Sequence, residues 1–516
     1  MNLFQTFSNP LDYKHSLALV AASIFLYFLS MPGSPLPLLT FVAFVPLGLA
    51  MKSAKPKRSA WMLYLAAIGC ILNVIWWLIP AVVTFTDLNI ILAFFVLIVF
   101  SLMLAIPYAI VGWLAGVKGW MNKPFGNLFT SAAFVVIVTY FPTPLPGNYA
   151  HSLYEFPLLL QLLDLGGVPI ILFIVVFINL QIVSLMTTFK TAPEQFKKTL
   201  ITIVVLLLFV MLYGLVKLKQ QETIQQQGHH LKIGIVQPKL LRNDSIDRLY
   251  SLSEKLVLEN PSIDLLVWPE FPTAFSYVGN PYDKTKVDRL ITKLKKPVVI
   301  VSGYIYEEGA DLNNPSAQYF NTAHLIDSNK QLKASYRKQT LVPFFEYLPY
   351  EDSFPFLRNL FPNTLRYVPG SNLEVFEFDS QTRILPLICY ETIFPKTTQD
   401  FVNDGGNIII NLTNDIWLGD TQGSEYHFAL GMFRAIEHRI PWVRATNSGI
   451  SGYVSAAGEI KPDSLTPRQS IATRVYEVTI PKERSVYSQY GDVFLYLMVI
   501  VLLCGLLKER VVNILK

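Results

Sequence analysis

The chain has 516 residues, of which 52% are hydrophobic and 15% charged, and its mean hydropathy is +0.39. Soluble proteins normally contain about 25% charged residues, so this composition excludes a purely soluble enzyme, a disordered chain and a fibrous protein. The net charge of +5 is modest and forms no basic stripe in the soluble part, which argues against nucleic-acid binding. Three cysteines are too few for a disulfide framework, and Cys70 and Cys504 lie in apolar runs.

Eight apolar runs are candidates for membrane-spanning helices, since a span needs roughly 20 mostly apolar residues. They lie near residues 16–30, 36–51, 59–79, 88–113, 128–141, 167–188, 198–216 and 491–507. The run at 128–141 is short for a span, and a re-entrant segment is its alternative. Residues 1–219 are therefore predicted to form a seven-helix transmembrane bundle, and residues 486–516 a last transmembrane helix with a cytoplasmic tail.

The charges of the loops predict the orientation of these spans. Lys and Arg collect in the short cytoplasmic loops of membrane proteins. They follow the second, fourth, sixth and eighth runs, whereas the loops at 31–35, 80–87 and 142–166 contain none. Both termini are therefore expected in the cytoplasm, and the large domain after the seventh run on the outer side. The N-terminal run lacks a basic leader and a small-residue cleavage site, so a retained span is predicted.

A transporter is the alternative function for such a bundle, with Pro107 and Pro169 as candidate helix breaks. The runs contain almost no ionisable residues, whereas a proton- or ion-coupled pathway ordinarily needs them. Asp164 and Glu155 fall in a predicted outer loop, where solvated interfacial charge is a simpler interpretation than catalysis. The bundle alone therefore predicts no chemistry.

From Lys232 onward, short β-branched runs alternate with amphipathic segments, which predicts an α/β domain. The predicted strands contain KIGIVQ, DLLVWPE, PVVIVSGYIY, NTAHLID, ILPLICYE, NIIINLTND and PWVRATNSGISGYV. The predicted helices cover about 243–259, 283–296, 395–404 and 424–439. The Gln-rich stretch 220–228 is predicted to be a linker, so that the domain covers residues 220–485.

Three segments of this domain carry residues that apolar strands do not need. Glu270 ends VWPE, Lys338 and Glu346 lie in YRKQTLVPFFEYLP, and Cys389 lies in LICYE. A thiol becomes a nucleophile when a base takes its proton, and Glu270 is the candidate base. Lys338 and the backbone N–H of Tyr390 are candidates to stabilise an oxyanion. Each residue alone has a structural explanation, but the combination favours a catalytic site.

Metal and cofactor sites are not predicted. His427 and His438 are eleven residues apart and have no partner Cys or His, which is not a zinc-site pattern. Asn411 and Asp415 are expected to hydrogen-bond a turn rather than to bind a cation.

The order of Glu in WPE, Lys in YRK and Cys in ICYE resembles the nitrilase or carbon–nitrogen hydrolase superfamily. The spans and the outward domain together resemble the apolipoprotein N-acyltransferase family along essentially the whole chain. The motifs that carry the resemblance are GIVQ (234–237), LVPFFEYLP (341–349), ICYE (388–391), NDIWLG (414–419) and MFRAIEHRIPWVRATNSGIS (432–451).

This resemblance implies a multi-span helical bundle joined to a four-layer αββα sandwich. It implies an acyltransferase of the bacterial inner membrane with a periplasmic catalytic domain. The acyl donor would be a membrane phospholipid and the acceptor the N-terminal α-amine of a diacylated apolipoprotein, with a ping-pong thioester mechanism. No cofactor and no nucleic acid are implied.

The family's site residues fall on identifiable positions of this sequence. Cys389 corresponds to the nucleophile, Glu270 to the general base and Lys338 to the stabiliser of the oxyanion. The resemblance implies supporting roles for Glu346, Tyr390 and Glu391.

Two other functions stay open at this stage. One is a membrane-tethered amidase that releases an acid from a small amide, and the other is a transporter or scaffold with an inactive domain.

The thioester of the implied mechanism must be kept from water by lipid tails or aromatic side chains. The candidate lid aromatics, for which core packing is equally compatible, are Phe271, Phe275, Tyr277, Phe344, Phe354, Phe356, Phe361 and Trp417.

Overall fold

The computed structural model of the chain describes residues 12–86, 88–241, 244, 246–270, 275–294, 298–306 and 319–514. The chain divides into two compact units. The first contains Met1–Trp76, Ile91–Leu218 and Gln489–Lys516, and the second contains Trp77–Ile90 and Lys219–Ser488.

The described residues contain α-helices in both units. In chain order they are α1 (Tyr13–Phe28), α2 (Val45–Lys52), α3 (Pro56–Ile75), α4 (Ile79–Thr86), α5 (Ile90–Leu104), α6 (Ile106–Lys118), α7 (Gly126–Tyr140), α8 (Pro157–Leu160), α9 (Leu163–Thr188), α10 (Pro193–Gln227), α11 (Asp247–Glu259), α12 (Pro281–Leu294), α13 (Leu357–Leu360), α14 (Pro395–Asn403), α15 (Gly423–His438), α16 (Val486–Tyr490) and α17 (Val493–Ile514). Short 3-10 helices lie at Pro37–Phe41, Trp76–Leu78, Trp120–Asn122, Tyr149–Leu153, Cys389–Ile393, Ile416–Leu418 and Pro462–Ser464.

Four helical segments among the described residues are long and apolar enough to cross a membrane: Pro56–Thr84, Ile90–Lys118, Leu163–Thr188 and Pro193–Gln227. Four shorter apolar helical segments are Tyr13–Phe28, Pro37–Lys52, Gly126–Tyr140 and Val493–Leu507. A helical segment therefore lies at each of the eight apolar runs of the sequence, and three of them, Tyr13–Phe28, Pro37–Lys52 and Gly126–Tyr140, are shorter than 18 residues.

Glycines allow α3 and α6 to pack closely in the first unit. A Cβ added at Gly112 would lie 2.7 Å from the Ser59 carbonyl oxygen, and one at Gly116 would lie 2.7 Å from the Pro56 Cα. Small residues at such crossings let membrane helices gain van der Waals contact. Any larger residue at either position would push the two helices apart.

The structure corrects three expectations in the region around the first unit. The stretch 80–87 was expected to be an outer loop, but α4 occupies most of it and belongs to the second unit. The expected linker 220–228 is helical as far as Gln227, because Lys, Gln and Glu favour helix and no Gly or Pro interrupts the run before Gly228. Asp164 is buried rather than solvated, because Tyr213 donates a hydrogen bond to it at 2.6 Å and Lys217 lies 3.5 Å away.

Both prolines noted in the sequence lie at irregular points of the bundle. The helical run of the fourth predicted span divides at Ala105, and Pro107 lies in the first turn of α6. In α9, Gly167 has φ 60° and ψ −162°, two residues before Pro169. Proline removes a backbone donor, and glycine adopts a positive φ at little cost, so the sequence explains both irregularities.

The second unit contains two β-sheets. Its strands are β1 (His229–Gln237), β2 (Leu265–Val267), β3 (Val298–Tyr306), β4 (Tyr319–Ile326), β5 (Leu332–Arg337), β6 (Phe376–Glu377), β7 (Arg383–Ile388), β8 (Ile408–Thr413), β9 (Trp442–Thr446), β10 (Gly452–Val454) and β11 (Ala472–Ile480). One sheet has the order β11-β1-β2-β3-β4-β5 and the other the order β10-β9-β8-β7-β6. The central strand pairs β1–β2, β2–β3, β7–β8 and β8–β9 are parallel, and the outer strands are antiparallel.

Helices cover the outer faces of the two sheets. α11 contacts β1 and β11, and α12 packs on α11, whereas α14 contacts β7 and α15 contacts β9. The sheets face each other, with β1 against β9 and β4 against β7. This confirms the four-layer αββα sandwich. β5, β6 and β11 were not among the predicted strands, and residues 295–296 of the predicted second helix lie outside the described residues.

Candidate active site

A buried tryptophan fixes the position of Glu270. Trp268 directly follows β2, is fully buried, and donates a hydrogen bond from Nε1 to the Ser253 Oγ of α11 at 2.9 Å. Its backbone N–H donates to the carbonyl of Ile300 in β3 at 3.0 Å. Because Glu270 is only two residues further on, these contacts deliver its carboxylate to the end of the first sheet.

Lys338 reaches the same place from the end of β5. Its backbone N–H donates to the carbonyl of Asn321 in β4 at 2.8 Å, so the two residues lie side by side. The Asn321 side chain donates from Nδ2 to Glu270 Oε1 at 2.7 Å and to Glu346 Oε1 at 3.2 Å. Asn321 therefore links the two carboxylates that flank the lysine.

Glu346 comes from the loop that follows β5. Its Oε2 accepts a hydrogen bond from the Val342 N–H at 2.8 Å, and its Oε1 accepts one from Lys338 Nζ at 2.8 Å. Lys338 Nζ lies further from Glu270 Oε1, at 3.7 Å. Glu346 is thus the closer ion-pair partner of Lys338, which leaves Glu270 less tightly bound.

Cys389 follows β7 at the end of the second sheet and is buried. Its φ of 51° lies in the left-handed region, which a residue with a Cβ seldom adopts. Such backbone strain persists only where surrounding contacts hold it, and it is often found at functional sites. The turn directs the Cys389 side chain to Glu270, with which it forms a hydrogen bond.

The candidate site contains three acidic groups, those of Glu270, Glu346 and Cys389, and one basic group, that of Lys338. Burial raises the pKa of Glu270, and Lys338 with the hydrogen bonds from Asn321 and Cys389 opposes the rise only in part. Burial and the Glu270 charge also raise the pKa of the Cys389 thiol well above its usual value. Burial alone would lower the pKa of Lys338, but Glu346 and Glu270 raise it, so the lysine stays charged. The raised pKa of Cys389 favours the neutral thiol, which lies beside the carboxyl group of Glu270.

Glu391 lies two residues after the nucleophile candidate in sequence, but its hydrogen bonds go to other groups. Its Oε1 accepts hydrogen bonds from the Tyr336 hydroxyl (2.6 Å), the Gln339 N–H (2.7 Å) and the Thr340 N–H (3.1 Å). Its Oε2 accepts from the Ile388 N–H at 2.9 Å. Glu391 therefore connects the two strand ends that carry Lys338 and Cys389, while the buried Tyr390 packs its ring against Phe394.

Sequence reasoning missed the roles of several buried polar residues. Asn321 was only the first letter of a predicted strand. Asn411, Asp415, Arg444 and His427 form a second cluster next to Cys389, in which Arg444 Nη2 lies 2.7 Å from Asp415 Oδ2. His427 belongs to this cluster, whereas the Nδ1 of His438 lies 3.0 Å from the Ser488 Oγ.

The candidate lid aromatics divide into core and surface. Phe275 and Tyr277 are buried in the core on the outer side of the first sheet. Phe344, Phe354 and Phe356 are exposed. The Phe361 ring lies 5.1 Å from that of Phe344, and the Trp417 ring lies 5.5 Å from that of Phe345. Phe271 lies outside the described residues.

Comparisons with known proteins match both units of the chain. Residues 232–481 match the carbon–nitrogen hydrolase family, and residues 23–181 match the apolipoprotein N-acyltransferase N-terminal domain. An apolipoprotein N-acyltransferase of Geobacter metallireducens is 28% identical over 491 residues, 90% of each chain. Apolipoprotein N-acyltransferase 1 of Treponema denticola is 30% identical over 402 residues, which cover 70% of this chain and 72% of that protein.

A solved structure also aligns with part of the chain. It is that of Nit3 of Saccharomyces cerevisiae, a member of branch 10 of the nitrilase superfamily, with 18% identity and a TM-score of 0.37. The alignment covers 51% of this chain and 94% of the yeast protein.

Proposed function

The chain belongs to the apolipoprotein N-acyltransferase family, and from this premise we propose that it moves an acyl chain from a membrane phospholipid to a lipoprotein through a thioester on Cys389. As a member of that family it is a membrane enzyme that N-acylates lipoproteins. The observation that carries the proposal is the buried thiol hydrogen-bonded to Glu270, with the Lys338 ammonium 3.7 Å from the same carboxylate.

The first half-reaction forms the thioester. Glu270 takes the proton of Cys389, and the thiolate attacks the carbonyl carbon of a glycerol ester. The proton transfer moves a negative charge from the Glu270 carboxylate to the neighbouring Cys389 thiolate, so the total charge of the candidate site does not change. Lys338 and the backbone N–H of Tyr390 stabilise the resulting oxyanion. The ester C–O bond then breaks, and Glu270 returns the proton to the departing alkoxide, which leaves as lysophospholipid.

The second half-reaction uses the same groups in the opposite direction. The N-terminal α-amine of a diacylglyceryl-cysteine lipoprotein attacks the thioester carbonyl, and Glu270 accepts a proton from the amine. The C–S bond breaks, the N-acyl product leaves, and the Cys389 thiolate recovers its proton. Glu346 holds Lys338 in place throughout by accepting its hydrogen bond, and Asn321 holds Glu270 by donating to it and to Glu346.

A direct assay tests this reaction. Purified protein in phospholipid vesicles with an isotope-labelled acyl chain would be given a synthetic diacylglyceryl-cysteine peptide. We expect N-acylated peptide and lysophospholipid in equal amounts, and neither product from the Cys389→Ala variant. Cys70→Ala is the matched control, because Cys70 is also a buried free thiol. Hydrolysis of small amides without lipid, and no transfer to the peptide, would contradict the proposal and favour an amidase.

We also propose that the enzyme lies in the bacterial inner membrane with its second unit in the periplasm. The support is the alternation of loops with and without Lys and Arg along the first 220 residues. Alkaline phosphatase is active only after export, so a fusion after Leu231 should be active and a fusion after Arg58 inactive. The opposite pair of results would contradict the orientation.

A further inference from the structure

Three neighbouring strands of the second sheet bring polar side chains close to Cys389. Leu387 of β7 pairs with Asn411 of β8, and Asn411 pairs with Arg444 of β9. Side chains that share a register on parallel strands point to the same face of a sheet. Leu387, Asn411 and Arg444 therefore form a row across the three strands. Leu387 is two residues before Cys389, so this row lies close to the thiol-bearing residue.

Asn411 contacts the backbone that holds the thiol. Its Nδ2 donates to the Leu387 carbonyl at 3.1 Å and to the Cys389 carbonyl at 3.4 Å. Its Oδ1 accepts from the Thr413 hydroxyl at 2.9 Å and from Arg444 Nη1 at 3.3 Å. The two donors on Oδ1 decide which way the amide faces, because they leave only the NH₂ group for the carbonyls.

Arg444 is in turn fixed by a fully buried carboxylate. Its Nη2 donates to Asp415 Oδ2 at 2.7 Å, and both side chains are 0% exposed. Although burial opposes ionisation, Arg444 and His427 hold the pKa of Asp415 below its usual value. Gly449 leaves room for this pair, since a Cβ there would lie 2.1 Å from Asp415 Oδ2.

His427 completes the cluster from α15. Its Nδ1 lies 2.9 Å from Asp415 Oδ1, and its buried Nε2 has no hydrogen-bond partner of ordinary geometry among the described residues. Burial and Arg444 lower the pKa of His427, and a hydrogen bond with the Cys389 backbone is among the contacts that oppose this shift. Two members of the cluster, Asn411 and His427, thus face the backbone of the strained residue.

We infer that Asn411, Arg444, Asp415 and His427 form a positioning cluster that holds the Cys389 carbonyl and so keeps the thiol directed to Glu270. None of the four touches the reacting atoms in the proposed mechanism. Cys389 has to keep its left-handed conformation through two half-reactions, and each carbonyl contact opposes relaxation of that strain. The inference rests on Cys389 being the nucleophile proposed above.

Asn411→Asp tests the cluster at its contact with the carbonyl. The substitution keeps size and the acceptor for Arg444, but it replaces the donor that faces Cys389 by an acceptor. We expect single-turnover thioester formation to slow on the order of 10- to 100-fold, because small misplacements of a reacting group have such effects. The loss should fall on kcat, with KM for the phospholipid unchanged, since no lipid contact is altered.

Asn407→Asp is the matched control. Asn407 precedes β8 and bonds the other end of β7, where its Nδ2 donates to the Gln381 carbonyl at 2.7 Å and its Oδ1 accepts from the Arg383 N–H at 2.8 Å. The same substitution there should cost stability without slowing thioester formation in the folded protein. Thermal unfolding midpoints of both variants separate a loss of folding from a loss of positioning.

His427→Gln tests the far end of the cluster and decides the matter if Asn411→Asp does not fold. It should slow thioester formation several-fold, whereas His438→Gln on the same helix should not. Equal rates for Asn411→Asp and Asn407→Asp, or for the two histidine variants, would overturn the inference while the proposed function stands. A wild-type protein that forms no adduct at Cys389 would overturn the proposed function and this inference together.

Discussion

Two buried carboxylates on either side of Cys389 differ in how completely they are hydrogen-bonded. Glu391 accepts four hydrogen bonds, three of them from backbone N–H groups. Glu270 accepts one from Asn321 at 2.7 Å and one from the Cys389 thiol, with Lys338 3.7 Å away. A carboxylate whose oxygens are all occupied is a structural anchor, whereas one bound mainly by a titratable neighbour is free to exchange a proton with it.

Removing the positive charge of Lys338 should have the largest effect on the contrast between Glu270 and Glu391. Lys338→Met leaves Glu270 and Glu346 facing each other without a positive charge and removes an oxyanion donor. We expect thioester formation to fall on the order of 10²- to 10³-fold. Lys333→Met is the control, because Lys333 lies on the same strand β5 and is exposed. An unchanged rate in Lys338→Met would show that the oxyanion is stabilised elsewhere.

The two acidic partners of Lys338 should differ in the next experiment. Glu270→Gln removes the proton acceptor but keeps the size and one hydrogen bond, so thioester formation should fall about 10²-fold or more. Glu346→Gln should lower the rate less, since Glu346 only holds Lys338. Single-turnover labelling of Cys389 at equal amounts of folded protein compares them. Full labelling of Glu270→Gln beside no labelling of Glu346→Gln would show that the base is the other carboxylate.

Glu391→Gln should act mainly on stability rather than on chemistry. An amide in place of the carboxylate turns an NH₂ group toward at least one of the four donors and leaves that donor without an acceptor. The expected cost is about 1–3 kcal/mol of folding free energy, visible as a lower thermal unfolding midpoint in detergent. In the protein that remains folded, the loss of rate should be smaller than in Glu270→Gln. A larger loss of rate than in Glu270→Gln would contradict the anchor role.

The sequence predicted an α/β domain from its alternating strands and helices, whereas the αββα architecture and the roles of the candidate site residues came from the resemblance of its short motifs to the nitrilase superfamily. It did not predict which partners those residues have. Asn321 lies 51 positions from Glu270, and Tyr336 lies 55 positions from Glu391, so only the folded sheets bring them together. The anchoring role of Glu391 was hidden for the same reason.

Local signals also failed where tertiary context decides. Asp164 falls in a stretch that the charge pattern assigns to an outer loop, yet Tyr213 and Lys217 of a helix 49 positions away or more bury it. Arg444 and Asp415 lie in motifs that carry the family resemblance, but the sequence does not show that they pair, because they are 29 positions apart. Each of these charged side chains is buried together with a partner of opposite charge, which the local composition of the sequence does not reveal.

The central claim is that Cys389 carries the acyl chain between donor and acceptor. Its most direct test is the mass of the intact protein after incubation with a phospholipid of defined acyl chains and no acceptor. We predict a mass increase of one acyl chain, located on the peptide that contains Cys389, which disappears when the diacylglyceryl-cysteine peptide is added. Transfer of the acyl chain to that peptide by a Cys389→Ala variant, or by a wild-type protein that never carries the adduct, would contradict the mechanism.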